Sequence, residues 1–283
     1  MDDLTKDKTD FLLNLVNSSG FIFQVGVRRE IERTSNDHAW SVLSQECRWQ
    51  HPEQDSSGFV DLVLEHPSRH LRIVIECKRA TGRDWVFLTP KDKRTSSKKI
   101  SSFWILSRGS DQRDQSHYAW IDPDANPASP ESAFCIVQGQ EDGKTPMLER
   151  IADILLPATE ALALKYLREK PLLQRFYFPV IVTNANLYTC EFDPGDINVR
   201  DGRLSEGKGI FQSANVVRFR KSLANTCEPS KDLQAIEALN NKEEQTVLVM
   251  NAASLSEILK QFDLAPHSQL DYLISWLNAE RRE

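Results

Sequence analysis

Residues 58–80 read GFVDLVLEHPSRHLRIVIECKRA. Two runs of β-branched and aliphatic residues flank the turn-forming HPSRH, a pattern that predicts two adjacent antiparallel strands over 58–65 and 71–78. Side chains alternate along a strand, so Asp61 is expected to share a face with Phe59 and Val63, with Val60, Leu62 and Leu64 on the other. In the second strand Glu76 and Lys78 share a face, and Cys77 lies opposite. The turn thus brings two carboxylates and an ammonium to one edge of a largely apolar sheet.

Charges in such a place cost free energy unless something compensates them. A divalent cation, Mg2+ or Mn2+, is the expected partner. Mg2+ takes oxygen ligands and keeps several waters, so Asp61, Glu76 and one backbone carbonyl, that of Cys77, suffice as the protein's share. Lys78 beside them is suited to orienting or deprotonating a water and to stabilising the negative charge that develops as it attacks.

Upstream of this hairpin, a helix is expected with Thr9 or Asp10 as N-cap and Asn17 to Gly20 closing it. A second helix is expected over Phe21 to Arg33, with Gln24, Val27 and Ile31 on one face. A further strand over Trp40 to Trp49 completes a three-strand meander. Downstream, the short apolar runs WVFL, FWIL, YAWI and FCIV predict an inserted set of short strands, in which Trp85, Phe87, Phe103, Trp104, Tyr118 and Trp120 read as core. Leu148, Ile151, Leu155, Ala158, Leu162 and Tyr166 recur at three or four residues, predicting a long helix between Thr145 and Lys170 that Pro157 kinks. FYFPVIV and LYTCEF follow as strands, the first buried on both faces. Strands are expected over Val216 to Arg220 and Val247 to Met250, and a helix over Ser254 to Phe262. The sum is an α/β architecture.

Asp61, fourteen residues and then Glu76-Cys77-Lys78 on consecutive strands resemble the PD-(D/E)xK nuclease superfamily. Val60 stands where the family name has Pro. The resemblance covers residues 21–80 well and 145–190 in outline. It implies a restriction-endonuclease-like core, a mixed β-sheet flanked by helices, over residues 1–190 with a β-rich insertion at about 80–144. Residues 191–283 would form a C-terminal α/β extension packed on that core. It implies an endonuclease that hydrolyses DNA phosphodiesters, with Asp61 and Glu76 on the metal and Lys78 serving hydrolysis. An acidic residue or Gln on the preceding helix completes such sites, and Gln24 and Glu30 are the two alternatives here. By the same resemblance, prokaryotic anti-phage defence or restriction is the implied setting, with an oligomer or a protein partner restraining the activity. RNA as substrate and a catalytically inactive interaction subunit stay open.

The chain has 35 Lys and Arg against 41 Asp and Glu, a formal charge of -6 that argues against a nucleic-acid partner. Charge is unevenly placed, however. Residues 69–113 hold twelve basic and four acidic residues, a window of +8. Within it Arg79, Arg83, Lys91, Lys93, Arg94, Lys98 and Lys99 are the expected contacts to a phosphate backbone beside the metal. Five cysteines without a CxxC pair speak against zinc and a disulfide framework, and with the polar N-terminus MDDLTKDKTD they suggest a cytoplasmic protein. No apolar run approaches the roughly 20 residues of a membrane helix, so no membrane association is expected. Gly202–Gly209, GRLSEGKG, falls short of a P-loop because Gly stands at the Ser/Thr position, and His66 and His70 flank a tight turn without further ligands.

Overall fold

A computed structural model describes residues 5–80, 82–91, 96–108, 115–140, 145–167, 173–222 and 244–265. It opens with α1 (Lys6–Ser18), α2 (Gly20–Arg33) and a short α3 (Ser35–His38). The Thr5 hydroxyl caps α1 by accepting from Lys8 N–H, so the helix starts earlier than Thr9 or Asp10 would have it. The meander follows as β1 (Ser41–Gln50), β2 (Ser57–Glu65) and β3 (Leu71–Lys78). Next come β4 (Asp84–Pro90), β5 (Ser97–Lys99), β6 (Ser102–Arg108), β7 (Gln115–Ile121), β8 (Asp124–Ser129), β9 (Glu131–Ser132) and β10 (Cys135–Val137). The long helix α4 (Met147–Leu167) runs through Pro157. The remainder is β11 (Leu173–Thr183), β12 (Asn186–Phe192), β13 (Ile197–Asn198), β14 (Arg203–Leu204), β15 (Ile210–Ala214), β16 (Val216–Ser222), β17 (Glu244–Asn251), α5 (Leu255–Gln261) and β18 (Asp263–Leu264).

A nine-stranded mixed sheet organises the molecule in the order β1-β2-β3-β11-β17-β16-β9, with β6 and β7 joined to β11. Strand β11 is its axis. One edge pairs in parallel with β3, from Phe176↔Leu71 to Thr183↔Lys78. The other edge is shared, with β6 antiparallel along Leu173–Tyr177 and β17 parallel along Val180–Thr183. Phe176 N–H points to the β3 side, onto the His70 carbonyl, so the nitrogen of Pro179, three residues on, faces the opposite edge. It falls there in the gap between β6 and β17, where no ladder bond is lost.

Both faces of β11 are buried, as its apolar run predicts. Tyr177 and Ile181 pack with Val63, Val74 and the α4 residues Leu155, Ala158 and Leu162. Phe176, Phe178, Val180 and Val182 pack with Leu62, Ile73, Ile75 and with Val27, Ile31, Leu255 and Leu259 of α2 and α5. Trp85, Phe87, Phe103 and Trp104 are buried and Tyr118 and Trp120 pack partly buried against the Phe103 core, whereas Phe134 is exposed.

Long-range pairing ties the described parts of 80–144 and 191–283 to the rest: β6 pairs with β11 inside the main sheet, β4 pairs with β12, and β17 lies beside β11. The alternating-strand pattern marks these segments as strands but carries no partner information, which long-range pairing alone decides. The four described cysteines are free thiols, and GRLSEGKG forms turns around the short β14. No helix among the described residues is long and apolar enough to cross a membrane.

Phe178 has no exposed surface and stands edge-on to Phe262, ring centroids 5.1 Å apart, which joins the segment after α5 to the sheet axis. Phe178→Ala should cost about 3–5 kcal/mol by loss of burial and cavity formation, read as a lowered urea midpoint with unchanged slope.

Candidate functional site

Strands β3 and β11 end together at Lys78 and Thr183, and both chains then bend and continue, again in parallel, as β4 and β12 of a second sheet ordered β10-β4-β12-β15. Side-chain amides reinforce the bend, where Ala80 and Ala185 are buried in the α4-side core. Asn184 Oδ1 accepts from Ala80 N–H at 2.6 Å, Asn186 Nδ2 donates to Asp84 Oδ1 at 2.9 Å, and Asn251 Nδ2 donates to the Ala185 carbonyl at 2.7 Å. Asp61, Glu76 and Lys78 lie at this seam.

The β2–β3 ladder runs from Glu65↔Arg72 to Leu62↔Ile75 and stops there. The next row would set Asp61 opposite Glu76. In its place the Asp61 carboxylate enters the ladder's position, with Oδ2 accepting from Cys77 N–H at 2.6 Å. N–H and C=O of one strand residue project to the same edge, so the Cys77 carbonyl also faces the side where β2 has turned away. Gln24, 3% exposed on α2, donates through Nε2 to the Asp61 carbonyl at 3.2 Å. The expected Gln24, Val27 and Ile31 face is the buried face of α2. Of the two helix candidates only Gln24 reaches the site, because Glu30 is held to Arg33 at 2.6 Å nearly two turns further on. That bond keeps the Glu30 carboxyl below its usual range.

Strand alternation fails at this row, contrary to the simple expectation for Asp61. Val60 packs with Val63 in the α4-side core, while Leu62 and Leu64 pack on the opposite side. The partner strand breaks at the same level. Glu46, flanked by the pairs Gln45↔Leu62 and Cys47↔Val60, takes φ 48°, a left-handed conformation uncommon outside glycine. Register therefore sets Glu46, Asp61 and Glu76 in one row across β1, β2 and β3. Glu46 had no signal in the sequence until the β1–β2 register was known.

Half-buried positions shape the electrostatics. Burial, opposed in part by the Cys77 N–H bond and reinforced by Glu46, raises the Asp61 pKa. Burial first, and Asp61 second, push Glu76 up to about 7, while Lys78 acts to lower it. The Cys77 thiol is held well above its usual value by burial and packs into the opposite core, as alternation predicts. The far end of β3 shows the contrast. There Glu65 Oε1 accepts from Arg72 at 2.8 Å and faces Arg175 at 3.7 Å, and Arg72 donates to the Tyr177 hydroxyl at 3.0 Å. Those buried charges are neutralised by partners within the fold, whereas Asp61 and Glu76 repel one another beside a single ammonium.

Among the described residues no three His, Cys, Asp or Glu side chains come together as a metal cluster. Two carboxylates and a carbonyl still fit a cation that keeps most of its waters, as Mg2+ does. The expected phosphate contacts separate in space. Arg79 lies at the seam, donating to the Ser18 carbonyl at 3.2 Å, and Arg83 is exposed beside it. Lys91, Lys98 and Lys99 stand beyond the far end of β4, roughly 20 Å along the strand, with Lys91 near Glu191 and Lys99 near Asp124. Lys93 and Arg94 lie outside the described residues. His66 and His70 occupy the exposed β2–β3 turn, where His66 contacts the Ser68 hydroxyl and His70 the Gln174 carbonyl.

Comparison with protein-family models, curated proteins and solved structures gives no match.

Glu76 binds its proton more tightly in the fold than in the unfolded chain, so its contribution to stability is lost as pH rises from about 4.5 through about 7. Glu76→Gln should remove that loss. The parent's unfolding free energy from urea titration should fall more between pH 5 and pH 8 than the variant's, a difference on the order of 2 kcal/mol.

Proposed function

We propose that the chain is a metal-dependent nuclease with a restriction-endonuclease-like core, hydrolysing DNA phosphodiester bonds at Asp61, Glu76 and Lys78. The observation that carries this is the pair of half-buried carboxylates on adjacent strands, unneutralised by the fold, with an ammonium two residues along β3. The order of elements supports it: helix α2, an antiparallel meander, helix α4 on the opposite face, then a strand parallel to β3.

Asp61, Glu76 and the Cys77 carbonyl would hold Mg2+, which polarises a phosphate oxygen and lowers the pKa of bound water. The chain's own residues prepare the site. Cys77 N–H fixes one Asp61 oxygen and leaves the other available. Gln24 pins the Asp61 backbone at the kink, so the carboxylate cannot withdraw along the strand. The Lys78 ammonium would orient the attacking water and stabilise the added negative charge on phosphorus-bound oxygen as it develops.

Asp61→Asn and Lys78→Ala should each lower Mg2+-dependent cleavage of plasmid DNA by a hundredfold or more, with thermal midpoints close to the parent's. Calorimetric titration should show Mg2+ binding to the parent and none to Asp61→Asn. A parent that cuts neither DNA nor RNA with Mg2+ or Mn2+ removes the proposal.

A further inference from the structure

Two residues beyond the carboxylate row, the same pair of strands carries a second exposed constellation. Arg48 on β1 is the register partner of Phe59 on β2, and directly opposed residues in an antiparallel pair project to one face. The neighbouring pair is Trp49↔Gly58, and its indole is sunk in the α4-side core. Trp49 packs so closely on Gly58 that a Cβ there would sit 3.2 Å from the ring. That packing commits the 49/58 row to the protein interior and leaves the 48/59 row on the other face.

Phe59 is 62% exposed, and among the described residues no aromatic ring stands against it. Arg48 is also exposed, and no carboxylate among the described residues pairs with its guanidinium. An apolar aromatic face beside a free guanidinium matches a nucleotide, with the ring stacking on the base and the cation meeting the phosphate. The pair lies about 7 Å along the strands from Asp61, two strand steps, on the sheet face of Ile75 and Cys77 and not on that of Glu76. A base stacked on Phe59 must expose its own flat face, which a base inside a duplex does not do.

Resting on the hydrolytic site described above, we infer that Phe59 and Arg48 form a subsite for an unpaired nucleotide, so that the substrate enters as single-stranded DNA. Charge favours this occupant over an apolar protein surface, since docking one there would bury the Arg48 guanidinium without a counter-charge.

The test is anisotropy of a fluorescein-labelled single-stranded oligonucleotide and of the matching duplex, in EDTA so that binding is read without cleavage. The parent should bind the single strand more tightly. Phe59→Ala should weaken single-strand binding about tenfold, the loss of one stacked base, with duplex binding and thermal midpoint unchanged. Phe59→Trp should restore the affinity, and Arg48→Gln should weaken binding and flatten its salt dependence. Single-strand affinity unchanged in Phe59→Ala, or equal losses for strand and duplex, overturns the inference. So does Phe59→Ala altering only the sedimentation mass, which would make the patch a self-association surface. Because binding is read without metal, a parent that binds as expected but cuts nothing refutes the hydrolytic proposal and leaves the subsite intact.

Discussion

Eight residues of β3 run parallel to eight of β11, from Leu71 beside Phe176 to Lys78 beside Thr183, and both chains leave this pairing at the same level. Parallel strands need a long crossover, and here α4 supplies it on the face where Val63, Val74 and Ile181 are buried. Everything else is arranged around that ladder. Strands β6 and β17 divide the remaining edge of β11 on either side of Pro179, and the second sheet grows from the continuations of β3 and β11. The carboxylates stand at its end because β2 stops pairing with β3 one row before Asp61 would meet Glu76.

That termination explains why two like charges persist in a half-buried place. A regular ladder would have joined the backbones of Asp61 and Glu76 in one row of the sheet. The Asp61 side chain instead takes the ladder's next acceptor position, and the strand kinks around it. Burial then holds both carboxyl groups above their ordinary range, reinforced at Asp61 by Glu46 and at Glu76 by Asp61. The fold keeps them there by packing from both cores, without providing the arginine partners that settle Glu65 at the other end of the strand.

Much of this was legible in the chain. The hairpin of residues 58–80, the α2 face of Gln24, Val27 and Ile31, and the two-faced burial of β11 follow from periodicity, because the residues involved are overwhelmingly apolar and the elements long. Pairing between distant segments was not legible. Nothing in FWIL announces that it lies along β11, nor in TVLVM that it completes the same sheet. The spatial spread of the basic window was not legible either, since Lys91 follows the far end of β4 and Lys98 and Lys99 lie on β5, while Arg79 and Arg83 stay at the seam. The break of alternation at Glu46 and Asp61 was invisible for a different reason. It is a departure from local preference, a left-handed glutamate, imposed by packing on both sides of the row.

The kinked β1 is also a boundary. It forms one margin of the nine-stranded sheet, with a register shift between Val42 and Ser44 and the left-handed Glu46 inside its ten residues. The far end of the path from β1 is β9, only two residues long, and the β6 branch ends in β7. A straight, unpaired margin would offer its amides to a neighbouring molecule as a template for endless strand addition. Here the β1 margin is bent and charged and the β9 margin too short to recruit, so the irregularity that spreads the acidic row also guards its own side of the sheet against fibrous growth.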